Sequence, residues 1–160
     1  MAALTVRIPL KYKSTKERWF PVADDVKLFP DAICRIDSAG RATPMTDAAS
    51  SKFGGIVTGD KAVDNTLTGH TAGGKNVLLS TNGTAVIPAD TGLNAVGGIG
   101  KVAYGLFDNQ VDAVGDTTND IPVGTIQMVE SIIALGDPSG RAHTVEVAYG
   151  YGTGIPGDIT

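Results

Sequence analysis

Residues Gly98 to Val129 read GIGKVAYGLFDNQVDAVGDTTNDIPVGTIQMV, three short apolar runs separated by two polar turns. Val102 and Tyr104 alternate with Ala103 and Gly105 before Phe107. Asp108, Asn109 and Gln110 suit a turn, because short polar side chains hydrogen-bond their own backbone and tolerate left-handed geometry. Val111 to Val114 leads back, Gly115 to Asp120 turns again, and Ile121, Val123 and Thr125 open a third run. Turns this close together leave no length for helices, so the spacing predicts an antiparallel meander.

Composition agrees with a chain built of short strands. Among 160 residues there are 21 glycines, none before Gly40. Glycine accepts positive φ at little cost, which a chain that turns often requires. Hydrophobic residues make up 42% and charged residues 19%, a globular rather than disordered balance. Aromatics are only 6%, so the core must rest on Val, Ile, Leu and Ala.

Charge is unevenly placed. Residues 1–20 carry Arg7, Lys11, Lys13, Lys16 and Arg18 against Glu17 alone, whereas the whole chain has a net charge of −4. An acidic body argues against nucleic acid as a partner, because phosphate binding needs a basic surface. Cys34 is the only cysteine, so no internal disulfide can form. No apolar run approaches the roughly 18 residues of a membrane-spanning helix. The N-terminus lacks the apolar core of a secretory signal.

Upstream, Leu4, Val6, Ile8 and Leu10 are apolar on alternate positions, a strand pattern that Pro9 confines to an edge. A polar run from Lys11 to Arg18 follows, then Trp19, Phe20 and Pro21. Residues 1–25 therefore read as an extended N-terminal arm, with residues 1–22 expected to order on assembly. Residues 26–149 read as a β domain and residues 150–160 as a flexible glycine-rich tail. Within the domain, Ala32 to Ile36 and Arg41 to Thr46 flank Asp37-Ser38-Ala39-Gly40, a hairpin with glycine at the left-handed position. Thr46 to Phe53 reads as one helical turn, Gly55 to Thr58 as a strand and Gly59 to Gly74 as a long polar loop. Asn82-Gly83, between Asn76–Leu79 and Thr84–Pro88, is the strongest short hairpin signal in the chain. The last strand, Ala142 to Tyr149, puts His143, Val145, Val147 and Tyr149 on one face. The fold class expected is all-β, a small antiparallel barrel or sandwich with an extended arm.

Few residues offer chemistry. Gly69 to Asn76, GHTAGGKN, approaches the phosphate-cradling loop, but Asn76 stands where a magnesium-binding hydroxyl belongs. The residues after Lys75 also read as a strand rather than the required helix. His70 and His143 have no cysteine beside them to complete a zinc site. Asp108, Asp112, Asp116, Asn119 and Asp120 offer oxygen ligands without the spacing of the usual calcium loop. No serine sits in a G-x-S-x-G elbow, and Cys34 lies within an apolar run. Neither catalysis nor a cofactor is expected.

Several motifs recur in a recognisable order. Ile36-Asp37-Ser38-Ala39-Gly40-Arg41-Ala42-Thr43-Pro44 forms an opening hairpin, and Phe53-Gly54-Gly55-Ile56-Val57 the next strand. Asp64-Asn65-Thr66 to Ala72-Gly73 is a loop before Lys75 to Leu78. Gly100-Lys101-Val102-Ala103-Tyr104 leads to Asp108-Asn109-Gln110-Val111, followed by Asn119, Val123-Gly124-Thr125-Ile126 and Val145-Glu146-Val147. This order, from Ile33 to Val147, resembles the small head decoration (cement) proteins of tailed bacteriophages. Val102 follows Lys101 one residue sooner than in that pattern, and the arm and tail lie outside it. The resemblance implies a structural role on the outside of an icosahedral shell, and no catalytic residues. It implies as partners the major capsid protein and other copies of the chain, as trimer or dimer, with the virion exterior as location.

The partner-binding residues expected are those of the arm: Leu4, Val6, Arg7, Ile8, Leu10, Lys11, Lys13, Arg18, Trp19 and Phe20. The rival class is a carbohydrate- or receptor-binding β-module of a phage tail or cell surface. Such modules present exposed aromatic rings, and Trp19 is the only tryptophan.

Overall fold

A computed structural model describes residues 4–7, 9–46, 48–66, 75–89, 99–112, 121–129 and 143–150. They are all-β, without a helix, and contain a closed five-stranded barrel with further strands outside it. The strands are β1 (Lys11–Pro21), β2 (Lys27–Leu28), β3 (Ile33–Ile36), β4 (Ala42–Pro44), β5 (Lys52–Val57) and β6 (Val63–Asp64). They continue with β7 (Asn76–Ala89), β8 (Val102–Phe107), β9 (Gln110–Asp112), β10 (Pro122–Val129) and β11 (His143–Tyr149).

The barrel runs β7-β9-β8-β10-β11 and closes where β11 pairs with β7, from His143 opposite Ala89 to Tyr149 opposite Gly83. β5, β3 and β4 extend the sheet from the first half of β7, with Ile56 opposite Ser80. The strand β7 therefore changes neighbour midway, from β5 to β11, while β1 follows its other edge from Asn76 to Val86.

That crowding corrects the expected hairpin at Asn82-Gly83, which lies inside a continuous 14-residue strand. A Cβ at Gly83 would collide with the Lys13 carbonyl oxygen on one flank and come within 2.6 Å of the Tyr149 hydroxyl on the other. The glycine serves close approach rather than turning.

The meander is also corrected. β8 and β9 pair antiparallel around the Asp108-Asn109 turn, but β10 returns to β8 instead of β9. The free side of β9 meets β7 in parallel, Val111 opposite Ala89, the seam that joins β9 to β7 within the barrel. The β3–β4 hairpin is as the sequence predicts. Asp37 accepts the Ala39 and Arg41 amides at 2.9 Å, and Gly40 has φ +79°. The helical turn expected over Thr46 to Phe53 is absent among the described residues there; Lys52 and Phe53 already belong to β5.

Alternation builds two apolar clusters. Ile87, Val123, Ile126, Val145, Val147 and Tyr149 fill the larger one with Phe53, whose ring meets Tyr149 edge-on at 6.0 Å. Leu28, Cys34, Val57, Val77 and Leu79 form the second, beneath the sheet extension.

The N-terminal region departs most from its sequence reading. The alternation at Leu4 to Leu10 does not form a strand in its described residues, whereas the polar run read as part of the arm, Lys11 to Arg18, lies in β1. Residues 11–21 thus lie in the same sheet as the body, paired with β7 instead of standing off as an arm. The segment 150–160, apart from Gly150, lies outside the described residues, as does the second half (67–74) of the loop expected at 59–74; its first half contains β6.

Candidate interaction surface

Two carboxylates fix the segment before β1. The Asp108 side chain, 2% exposed, accepts the Leu4 amide at 2.7 Å. Asp31, 3% exposed and in left-handed backbone geometry at φ +68°, accepts from Arg7 Nη2 at 2.9 Å and Nε at 3.0 Å, and from the Leu10 amide at 3.3 Å. The described residues of this segment, 4–7, 9 and 10, are therefore a strap fastened at both ends. Leu4 packs on the second cluster and Leu10 on the first, while Val6 is 62% exposed.

The two carboxylates differ electrostatically. Asp31 faces a guanidinium. Asp108 has one oxygen without a hydrogen-bond partner, and burial raises its carboxyl above the ordinary range despite the Leu4 amide. Burial also drives the Cys34 thiol far above its usual value, with the Asp108 charge adding to the effect. Cys34 is thus an inert core residue, because nucleophilic cysteines need an accessible thiolate. The Tyr12 hydroxyl is raised by burial first and by Asp31 second.

β1 then alternates strictly. Lys11, Lys13, Thr15, Glu17 and Trp19 face solvent, Trp19 being 67% exposed. Tyr12, Ser14, Lys16, Arg18 and Phe20 turn inward and are half-buried. Only the ends of that inner row are apolar: Tyr12 packs on the first cluster and Phe20 on the second. Its middle is a polar seam. Ser80 joins Ser14 at 2.7 Å and the Tyr149 hydroxyl at 2.6 Å. The register slips here, skipping Thr15 on β1 and Thr81 on β7. Each skipped hydroxyl reaches the opposite strand, Thr15 to the Asn82 carbonyl at 3.1 Å and Thr81 to the Lys16 carbonyl at 3.5 Å.

The expected partner-binding residues therefore divide. Arg7, Leu4, Leu10 and Phe20 are engaged within the chain, Arg18 is half-buried with its Nε out of contact with any acceptor, and Val6, Lys11, Lys13 and Trp19 face outward. Ile8 lies outside the described residues. Lys11 and Lys13 border a shallow groove floored by Thr84 and Val86, with Glu146 on its far side. Asp31 and Ser80 carry this surface and escaped the sequence reading, and Asp108 was read there only as a turn residue and oxygen ligand, because their partners are 24, 66 and 104 residues away. The run Phe29-Pro30-Asp31, a turn signal, was the one local mark of Asp31.

The remaining residues weighed for chemistry in the sequence are dispersed or lie outside the described residues. Among the described residues, no group of three or more His, Cys, Asp or Glu side chains could hold a metal ion. Asp116, Asn119, Asp120 and His70 lie outside them. The residues after Lys75 form β7, so a helix does not follow the glycine-rich loop. Comparison of the chain with protein-family models, with curated proteins and with solved structures finds no match.

Proposed function

We propose that this protein is a structural decoration protein that binds the outer surface of an icosahedral phage head and stabilises the major capsid protein lattice. The observation that carries the reading is order. The motifs that resemble head decoration proteins fall in sequence on β3–β4, β5, the start of β7, β8 with the β8–β9 turn, β10 and β11, the strands of one barrel and its extension. A motif series spread over one continuous sheet is the expectation for a shared fold rather than for scattered turn chemistry. The reading includes no enzymatic activity and no cofactor. Its partners are the capsid lattice and other copies of the chain, with a trimer favoured over a dimer by analogy with the family.

A ligand of the assembled lattice that ignores its dissociated parts stabilises the assembly by mass action. Shells carrying this protein should therefore co-sediment with it and open at higher temperature than bare shells. Identical opening temperatures, or failure to co-sediment, would end the reading. Glycan binding through Trp19 without shell binding would replace it with the carbohydrate-binding module.

A further inference from the structure

We propose that residues 4–21 are an exchangeable element, and that the site they occupy on β7 accepts the same segment of a second copy. The inference goes beyond decoration and does not depend on it, because exchange takes place between free copies.

The barrel closes through β7, β9, β8, β10 and β11, and β1 lies outside that ring. Withdrawing β1 thus leaves every barrel seam paired and bares one edge of β7 from Asn76 to Val86. The withdrawn segment uncovers apolar surface where Leu4, Leu10, Tyr12 and Phe20 pack on the two clusters, whereas Ser14, Lys16 and Arg18 make the middle of its inner face polar. What holds it is main-chain pairing, which any strand of suitable register can supply, and a clasp, which only certain strands can.

The clasp names the occupant. Asp31 and Asp108 are buried carboxylates whose partners lie in one segment, a main-chain amide at Leu4 and a guanidinium three residues on at Arg7. Left empty, they would lose the Leu4 and Leu10 amides and the Arg7 guanidinium, contacts that a replacement segment has to restore. This chain carries the matching segment itself, with Arg7 followed by Lys11, Lys13, Lys16 and Arg18, and the rest of the chain is acidic. A second copy therefore fits the vacated site by geometry and by charge. The pivot is Pro21, the last residue paired with β7; Val22 beyond it is fully buried and donates to the Lys75 carbonyl at 2.8 Å. Cis and exchanged forms contain the same contacts, so their balance depends on that short hinge and on concentration.

The test uses full-length chains. Lys13 and Thr84 are opposite one another on β1 and β7, and both are exposed. Chains with Lys13→Cys are mixed at high concentration with mass-labelled chains carrying Thr84→Cys, then oxidised. The expected result is an interchain disulfide between positions 13 and 84, identified by mass spectrometry. It should exceed that formed with Lys101→Cys, an exposed collision control away from β7. It should be lost when the acceptor is the double variant Lys13→Cys/Thr84→Cys, already oxidised within its own chain. No interchain product above the collision control overturns the proposal. So does failure of the double variant to lock, because the register on which exchange rests would then be wrong.

Discussion

The barrel and the segment that lies across it share the strand β7, yet they are held by different chemistry. On the barrel side, Val145, Val147 and Tyr149 enter a buried apolar cluster, and Gly83 lets three strands approach closely. On the other side, residues 4–21 are held by a ladder, a seam of hydroxyls and two carboxylates, with apolar contacts from Leu4, Leu10, Tyr12 and Phe20 alone among the described residues. Apolar packing resists every competitor equally, whereas polar pairing can be remade with an equivalent partner. The difference teaches that one strand can be a permanent wall on one edge and a replaceable seat on the other.

The comparison breaks most visibly if the apolar side proves soft. Phe53→Ala removes a fully buried ring in contact with Tyr149 and should cost about 3–5 kcal/mol in urea unfolding. A cost as small as that of a surface substitution would mean that the barrel core is not the stable half.

A local test comes next. Arg7→Ala leaves Asp31 buried without its guanidinium, and because Arg7 is itself partly exposed the loss should be about 1–2 kcal/mol. Hydrogen exchange should report it in β1 amides, with β10 and β11 unchanged. Equal loss of protection in both regions would merge the two into one cooperative unit.

Asp108→Asn should act in the opposite direction. The native carboxyl holds its proton more tightly than the unfolded one, so ionisation destabilises the fold. Stability from this group is therefore greatest at low pH and is lost as pH rises from about 4 through the raised native value. The variant, with no charge to bury, should be the more stable at neutral pH by on the order of 1 kcal/mol. Its advantage should shrink on acidification through that window. A pH-independent difference between the two proteins would rule out Asp108 as the titrating group.

The smallest effect sharpens the surface. Trp19→Ala removes an exposed ring, so unfolding should shift by no more than about 0.5 kcal/mol. If β1 presents the face that meets a shell, co-sedimentation should nevertheless weaken.

What the sequence disclosed was local. The β3–β4 hairpin was legible because Asp37 and Gly40 carry their own turn chemistry, and β11 because Val145, Val147 and Tyr149 alternate. β1 was hidden because its inner face is polar, which erases the two-residue hydrophobic period. Leu4 to Leu10 showed that period without being a strand, since carboxylates rather than a ladder position it. Asn82-Gly83 carried a turn signal that crowding by β1 and β11 overrode. The return of β10 to β8 depends on which edges remain free after distant strands have paired, and no local residue encodes that. The inward Asp31 and Asp108 were ordinary turn residues until their distant partners were known.

The distance between β1 and its seat also has a meaning in time. Ser14 bonds Ser80 across 66 residues, and Leu4 reaches Asp108 across 104. On a translating ribosome the first strand emerges long before β7 exists to receive it, with a lag of roughly 3–13 s for 66 residues at typical elongation rates. During that interval β1 is a nascent strand with two open edges, the form most prone to join its neighbours on a polysome. Its lysines repel other copies of the same strand and keep it solvated until the ladder can form. The charge that marks the N-terminal segment thus guards the newborn chain before it serves the finished one.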